Sequence, residues 1–228
     1  MVEFKSGHIF NTKAQTIVNT VNCVGVMGKG IALVFKLRYP KMFVVYKEHC
    51  NAKRISPGKL WLYKSEKNAP WVLNFPTKFH WKYPSKMEYL ELGLEKFLKT
   101  YEDQGIQSVA FPLLGTHNGG LEKERVKDLM NRYLSKCKIP VEIFEYDPDA
   151  PDDMYILFVN KWKSISADHI KKLTGLRQDK IQLIQNAIED ENVQSMISLL
   201  AFKGIGLKSI EKCFSFVMSV NDNSQLFE

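Results

Sequence analysis

The sequence predicts an α/β fold with a mixed, largely parallel sheet covered by helices on both faces, followed by a small, mainly helical domain. Two observations carry this prediction. Segments with the pattern of buried strands alternate with amphipathic helices over the first two thirds of the chain, and helical periodicity dominates the remainder. Residues 147–153 (DPDAPDD) have the composition of a linker between the two. We therefore expect domains at residues 1–150 and 151–228.

Five strands and four helices are predicted in the first region. The strands are expected at residues 16–22, 59–63, 71–75, 108–112 and 141–146, and the helices at residues 31–39, 42–50, 85–101 and 122–137. Residues 154–159 are predicted as one further strand, which either closes this sheet or stands alone. Residues 166–220 are predicted to be mostly helical.

Charge is unevenly distributed along the 228 residues, whose formal net charge is +7. Residues 1–150 carry 23 Lys and Arg against 15 Asp and Glu, whereas residues 151–228 carry 9 against 10. The first region is therefore the better candidate for contacts with phosphate groups, because basic surfaces attract them irrespective of sequence. A solvated basic surface with no such partner is the alternative interpretation.

Membrane insertion and metal binding are not predicted. The N-terminal residues do not resemble a signal peptide, and no apolar run is long enough to cross a bilayer, so we expect a cytoplasmic protein. The four cysteines lie far apart without a CxxC pair, so neither a zinc site nor a disulfide framework is predicted.

Two glycine-rich segments follow predicted strands and precede predicted helices: residues 24–30 (VGVMGKG) and 114–120 (LGTHNGG). In a parallel sheet, such loops lie where ligands bind. Glycine lets successive backbone amides face one anion, and the helix that follows adds its positive end. Two loops of this kind suit a pyrophosphate. Neither has the GxxxxGK[ST] or GxGxxG spacing, which disfavours ATP hydrolysis and a Rossmann dinucleotide site.

Three motifs in order resemble one family. The segments that are similar to motifs of the macrodomains are residues 17–32 (IVNTVNCVGVMGKGIA), residues 74–78 (NFPTK) followed by HW at 80–81, and residues 114–121 (LGTHNGGL). The resemblance is greatest to the branch of DNA ADP-ribosyl glycohydrolases of the DarG type, the antitoxins of DarT–DarG pairs. It spans about residues 1–147.

The resemblance implies a three-layer α/β/α fold with ADP-ribose bound in a cleft between the two loops, as ligand and product rather than as a cofactor. Asn22 would hydrogen-bond the distal ribose, while Asn19 supports the loop or caps the strand end. The backbone cradle for the diphosphate and ribose would be Val26, Met27, Gly28, Lys29, Gly30, Ile31, Thr116, His117, Asn118, Gly119 and Gly120.

Lys78 is the expected catalytic residue, since the resemblance implies that the lysine of NFPTK is essential. A lysine in a crowded cleft near other cations has a lowered pKa, and this allows it to act as a base or as a nucleophile. Both roles stay open. A surface lysine without a role is the alternative for Lys78 taken alone.

The sequence departs from the family pattern at three places. Gly7-His8-Ile9 stands where macrodomains commonly have a GDI-type element that reads adenine, so adenine must be held differently. Thr116-His117 replaces smaller residues in the second loop. That loop also lacks the Asp of protein-directed glycohydrolases, which favours a DNA substrate.

DNA contacts are predicted in both regions. His80, Trp81 and Lys82, with Tyr83 and Lys86, interleave aromatic and basic residues in a pattern suited to single-stranded DNA, although core packing and a solvated face would also explain it. Residues 199–212 resemble a helix-hairpin-helix motif, which would place Lys203 and Lys208 near a DNA phosphate. An ordinary αα-hairpin, or a surface for a toxin partner, is the alternative for these residues.

The expected function is removal of ADP-ribose from a DNA base, by resemblance thymidine in single-stranded DNA, in an antitoxin or repair role. The expected partners are ADP-ribosylated DNA, ADP-ribose and a cognate DNA ADP-ribosyltransferase toxin. The alternatives are a non-catalytic ADP-ribose reader, and a hydrolase acting on ADP-ribosylated protein or O-acetyl-ADP-ribose.

Overall fold

A computed structural model describes residues 1–66, 69–150 and 152–219 of the chain. These residues form two compact units, Met1–Tyr146 and a second that starts at Asp147. Residue 220, the end of the predicted helical region, lies outside the described residues. The four cysteines are buried and carry free thiols. Within the described ranges, no helix has the length and apolar character needed to cross a membrane.

Six strands form a single sheet in the described part of the first unit. They are β1 (Val2–Gly7), β2 (Thr16–Val21), β3 (Trp61–Tyr63), β4 (Trp71–Pro76), β5 (Val109–Pro112) and β6 (Val141–Tyr146). Their order is β1-β6-β5-β2-β4-β3, and every neighbouring pair is parallel except β3 with β4. Parallel strands end at the same edge of a sheet, so the segments after β2, β4 and β5 lie side by side there.

Helices cover both faces of this sheet, as predicted. They are α1 (Gly30–Arg38), α2 (Pro40–Asn51), α3 (Met87–Thr100) and α4 (Lys123–Leu134). Leu94 of α3 and Met130 of α4 join one buried core with Val18 and Phe111 of the sheet. On the other side, α1 contacts both β2 and α2. Adjacent Ile17 and Val18 point to opposite faces of β2 and are both buried, which requires a layer on each face.

The sequence analysis missed β1, which lies at the edge of the sheet. It pairs in parallel with β6, with Val2 opposite Val141. Its side chains are only partly buried and include Glu3 and Lys5, so the strand lacks the apolar run that identifies a buried strand. Its end brings Gly7 to the same edge as the two glycine loops.

The second unit is helical, and the strand predicted at residues 154–159 is wrong. Its helices are α5 (Asp153–Ser164), α6 (Ala167–Thr174), α7 (Gln178–Ile188) and α8 (Leu207–Met218). The Asp152 side chain accepts a hydrogen bond from the Tyr155 amide and so caps α5. Tyr155, Phe158 and Trp162 are buried at helical spacing. A short apolar run did not distinguish this helix from a strand.

Two passages of the second unit, each with a glycine turn, share three local features. Gly175 follows α6 with φ +61°, and Gly204 precedes α8 with φ +96°; in both passages a buried residue follows the glycine, and the next residue caps a helix. The Lys212 amine donates to the Gly175 carbonyl at 2.6 Å, and the Lys180 amine donates to the Gly204 carbonyl at 2.8 Å. Each turn therefore lies against a helix that follows the other turn.

Candidate functional site

Three segments meet at the carboxyl edge of the sheet. We call them the first glycine loop (residues 23–30, after β2), the lysine segment (residues 77–86, after β4) and the second glycine loop (residues 113–121, after β5). Because β2 lies between β4 and β5, the first glycine loop is flanked by the other two segments. All the site residues that the sequence predicts in the first unit lie on or beside these segments.

Asn22 shapes the first glycine loop from within. Its side-chain Nδ2 donates to the Val26 carbonyl at 2.5 Å, and its Oδ1 accepts from the amides of Val24 and Val26 at 3.0 and 3.3 Å. The Tyr46 hydroxyl donates to the Asn22 carbonyl at 2.6 Å. Asn22 is buried. The conformation of this loop therefore depends on one asparagine side chain.

A buried amide pair lies beneath the loop. The Asn19 Nδ2 donates to the Asn74 Oδ1 at 2.9 Å and lies 3.9 Å from the Met27 Sδ. The two asparagines are opposite each other on β2 and β4. Asn19 thus supports the loop from the strand, and Met27 is buried against it. The pair links the strand that leads to the first glycine loop with the strand that leads to the lysine segment.

The second glycine loop is folded tightly on itself. The Leu121 amide donates to the Gly115 carbonyl at 3.0 Å, and the Thr116 hydroxyl donates to the Leu113 carbonyl at 3.1 Å. A Cβ atom at Gly119 would lie 2.0 Å from the Gly115 carbonyl oxygen. Only glycine fits at position 119, since that oxygen belongs to the backbone.

The two glycine loops touch at Gly30 and Asn118. A Cβ atom at Gly30 would lie 2.6 Å from the Asn118 Nδ2, and Gly30 has φ +56°. Gly30 is also the first residue of α1, so the second loop reaches the N-terminal end of that helix. Unpaired amides and the helix dipole make such an end attractive to an anion. The contact brings together the parts of a phosphate site that the sequence predicted separately.

The predicted ligand-binding residues differ in exposure. The exposed ones are Val26, Gly28, Lys29, Gly30, His117, Asn118 and Gly120. The backbone groups of Val26 are already bonded to Asn22, and the Gly120 amide is bonded to the Thr116 carbonyl. Ile31 is half-buried, and the buried ones are Asn22, Met27, Thr116 and Gly119. The buried residues shape the loops.

Lys78 lies where all three segments converge. Its amine donates a hydrogen bond to the Asn118 carbonyl. The backbone around it is fixed, because the Thr77 amide donates to the Val21 carbonyl at 3.0 Å and the Cys23 amide donates to the Phe79 carbonyl at 3.0 Å. Partial burial lowers the pKa of the Lys78 amine, since burial disfavours the charged form. The arrangement favours a neutral amine more than an exposed lysine would.

The predicted DNA-binding residues of the lysine segment lie at the surface, directly after Lys78. The rings of His80 and Trp81 are stacked with centroids 5.6 Å apart, and the Lys82 amine lies 5.3 Å from the Trp81 centroid. Trp81 is 49% exposed, so the core-packing alternative does not apply to it.

Tyr146, which the sequence analysis did not identify, belongs to an aromatic cluster at the same edge. It is the last residue of β6 and is 43% exposed. Its ring lies 5.8 Å from that of His117 and 6.3 Å from that of His8, which is buried. The sequence did contain a signal for Tyr146. This residue ends a predicted strand, and the site is formed by strand ends.

The remaining predicted residues lie elsewhere. Lys203 and Lys208 are exposed on the second unit, on either side of the turn that precedes α8. Among the residues that the structure describes, no group of three or more His, Cys, Asp or Glu side chains could hold a metal ion.

Comparison with known proteins identifies the fold of the first unit. The Macro domain model matches residues 18–130. The macrodomain of Mycobacterium tuberculosis DarG superposes with a TM-score of 0.60 at 40% identity, covering 63% of this chain and 97% of that structure. The chain belongs to the macrodomain family. The fold prediction and the macrodomain resemblance are therefore confirmed.

Two further relatives of this macrodomain carry functional names. A Mycobacterium tuberculosis protein named DNA ADP-ribosyl glycohydrolase is 44% identical over 157 residues, or 68% of this chain and 42% of that protein. A structure of Thermosipho africanus DarTG in complex with ADP-ribose matches with a TM-score of 0.60 and 39% identity, covering 64% of this chain and 42% of that one. The chain thus spans about two fifths of the length of the curated relatives that it matches.

Proposed function

We propose that the macrodomain hydrolyses the bond between ADP-ribose and a DNA base. The observation that supports this most directly is the hydrogen bond from the Lys78 amine to the Asn118 carbonyl, because it holds the amine of the expected catalytic residue beside the two glycine loops. The name of the relative that is 44% identical supports the same reaction. By the family resemblance, the base is thymidine in single-stranded DNA and the role is that of an antitoxin or repair enzyme.

ADP-ribose would bind with its diphosphate where α1 begins. Gly28, Lys29 and Gly30 are exposed there, Gly30 lies against Asn118 of the second loop, and the N-terminal end of α1 adds a favourable dipole. Asn22 can still contact the distal ribose, because an asparagine amide carries two hydrogens and only one is donated to the Val26 carbonyl. The Thermosipho africanus complex supports ADP-ribose as the ligand.

Adenine would lie against the aromatic cluster at the end of β6. The exposed ring of Tyr146 beside His117 offers a flat surface on which a purine can stack. This would replace the acidic residue that the Gly7-His8-Ile9 element lacks.

Lys78 would act in one of two ways. Its amine would attack the anomeric carbon of the distal ribose, or it would transfer the proton that moves when the base is released. The overall reaction is the same for both routes. The bond from the anomeric carbon to the base nitrogen breaks, that nitrogen gains a proton, and water supplies the oxygen of free ADP-ribose. Both routes require a neutral amine at some stage, and partial burial of Lys78 favours it.

A substrate panel separates this proposal from its rivals. The full chain is incubated with oligonucleotides ADP-ribosylated on thymidine or on guanosine, with ADP-ribosylated protein and with O-acetyl-ADP-ribose, and released ADP-ribose is measured. We expect release from the thymidine-linked DNA to be fastest. Binding of free ADP-ribose without release from any substrate would identify a reader, and faster release from protein or from the acetyl ester would contradict the DNA assignment.

A second proposal concerns the helical unit, which would contact DNA phosphates through its paired turns. What favours it is that each glycine turn leads into the N-terminal end of a helix, α7 or α8, with Lys203 and Lys208 beside one of the turns. Replacing both lysines with glutamate should weaken duplex DNA binding at low salt. Unchanged DNA binding, with loss of binding to a cognate toxin, would support the toxin-binding alternative instead.

A further inference from the structure

Three large aromatic side chains are exposed within the five residues that follow Lys78. Phe79 is 58% exposed, Trp81 49% and Tyr83 65%. Single exposed apolar residues are common on protein surfaces, but a group of aromatic rings is typical of an interaction surface. The rings adjoin the residue proposed as catalytic, so a partner bound there would lie beside the reaction.

The backbone that carries these rings is held at both ends. The Phe79 carbonyl accepts from the Cys23 amide at 3.0 Å, and the Ser85 amide donates to the Gly119 carbonyl at 2.9 Å. Between these anchors, the Tyr83 amide donates to the His80 carbonyl at 3.1 Å. The surface is thus formed before a partner binds, and this lowers the entropy cost of binding.

The His80 ring organises two of the three aromatic residues. Its centroid lies 5.6 Å from that of Trp81 at an interplanar angle of 27°, and 5.5 Å from that of Tyr83. The His80 ring thus stacks on Trp81 and contacts Tyr83 at a tilt of 51°, and these contacts limit the rotation of both large side chains. Their outer faces stay open to solvent, since both residues are about half exposed or more.

The positive charge of the lysine segment favours an anionic partner. Lys82 and Lys86 are exposed within it, and the Lys82 amine lies 5.3 Å from the Trp81 centroid. The sequence contains no Asp or Glu between Glu66 and Glu88. Flat aromatic rings interleaved with cations match a polymer of flat rings joined by phosphates, which is a nucleic-acid strand. A duplex cannot use these rings in the same way, because its base faces are stacked inside the helix.

We infer that Phe79, Trp81 and Tyr83 form a stacking surface for the unpaired bases next to the modified nucleotide, while Lys82 and Lys86 contact the phosphates of that strand. The inference rests on the proposed function, because it supplies the strand that leads to Lys78. It adds a binding site outside the ADP-ribose cleft. The three aromatic residues then determine the affinity for the DNA strand and not the affinity for ADP-ribose.

The test measures binding without turnover, so it stands apart from a test of the hydrolase activity. The full chain is titrated into a fluorescently labelled, unmodified single strand of about ten nucleotides, which matches the length that single-strand sites cover. Phe79→Ala, Trp81→Ala and Tyr83→Ala should each weaken binding roughly tenfold, the range found for loss of one base–aromatic stack. Trp81→Phe keeps a ring and should bind much more tightly than Trp81→Ala.

Two controls make the result specific. Phe4 is a phenylalanine that is 47% exposed on the edge strand β1, and Phe4→Ala should bind the strand as the wild type does. A blunt duplex of the same sequence reports any contribution from the helical unit, and its affinity should not change in the aromatic variants. Circular dichroism and thermal unfolding verify that each variant keeps its fold.

Three results would overturn the inference. The first is that the three aromatic variants bind the single strand as tightly as Phe4→Ala does. The second is that single strand and duplex lose affinity by the same factor, since the rings would then not contact base faces. The third is that strand binding is unchanged while binding of a protein partner is lost, which would make this a protein interface.

Discussion

The side-chain amine of Lys78 donates a hydrogen bond to the backbone carbonyl of Asn118, 40 residues further along the chain. The side chain of the same Asn118 lies against Gly30, at the start of α1. One residue of the second glycine loop therefore contacts both the first glycine loop and the lysine segment. If this geometry creates the site, changes that move any of the three segments should alter ADP-ribose binding and stability together.

Gly30→Ala should strain the backbone at the start of α1 and displace the Asn118 side chain. The new Cβ would lie 2.6 Å from the Asn118 Nδ2, and alanine is strained at φ +56°. We expect the free energy of unfolding to fall by about 1–2 kcal/mol, the cost of a left-handed backbone for a residue other than glycine. Affinity for ADP-ribose should fall as well. Chemical denaturation and calorimetry measure the two effects.

Gly28→Ala is the matched control in the same loop. Its Cβ would have Val26 Cγ1 as its nearest neighbour, at an ordinary 3.7 Å. We expect a stability change below about 0.5 kcal/mol. Equal destabilisation by the two substitutions would contradict the left-handed backbone at Gly30, since Gly28 does not have that conformation.

Gly119→Ala and Gly120→Ala separate steric overlap from backbone strain. At Gly119 the added Cβ would lie 2.0 Å from the Gly115 carbonyl oxygen, whereas at Gly120 no described atom lies within 4 Å and the φ is +76°. We expect a loss of more than about 3 kcal/mol for the first and about 1–2 kcal/mol for the second. Thermal and chemical unfolding give both values, and the reverse order would show that the loop is folded differently.

Asn22→Asp should loosen the first glycine loop with almost no change in volume. The carboxylate can still accept from the amides of Val24 and Val26, but it cannot donate to the Val26 carbonyl and would repel it. We expect about 1–3 kcal/mol of destabilisation and weaker ADP-ribose binding. Asn131→Asp, on the exposed surface of α4, controls for the added charge and should have little effect on either quantity.

The pH dependence should reflect the lysine. Burial lowers the pKa of Lys78 from its ordinary value of 10.5, so the folded protein releases this proton at a lower pH than the unfolded chain does. As pH rises through the folded pKa towards 10.5, wild-type stability should therefore increase relative to Lys78→Met. If the neutral amine reacts, kcat/KM should rise as pH approaches the folded pKa from below and level off above that pKa. A flat profile would argue against a reactive neutral amine.

The sequence predicted most of the first unit because its central strands and helices have strong and different periodicities. It missed β1, whose exposed edge position removes the apolar run, and it took the start of α5 for a strand because the buried apolar residues there form too short a run. It also predicted two glycine loops and Lys78, but not that Asn118 joins them. That contact depends on the order of strands in the sheet, and local patterns do not specify this order.

The Gly175 and Gly204 turns are a second example of contacts that local sequence patterns do not specify. The two passages are only loosely similar in sequence, yet each turn accepts a lysine amine from a helix that follows the other turn. Both turns have a glycine with a positive φ, then a buried residue, then the residue at which a helix begins, while the residues around them vary. Exposure of Phe79 was likewise not predicted, because aromatic residues are more often buried.

The most direct test of the role of Lys78 compares the wild type with Lys78→Met, which keeps the length of the side chain and removes its amine. Release of ADP-ribose from a thymidine-linked oligonucleotide is followed in a single turnover, and affinity for free ADP-ribose is measured on the same samples. We expect the variant to bind ADP-ribose and to release it from DNA at least about a hundredfold more slowly, a loss typical of a missing acid–base group. Release at the wild-type rate would contradict the central claim.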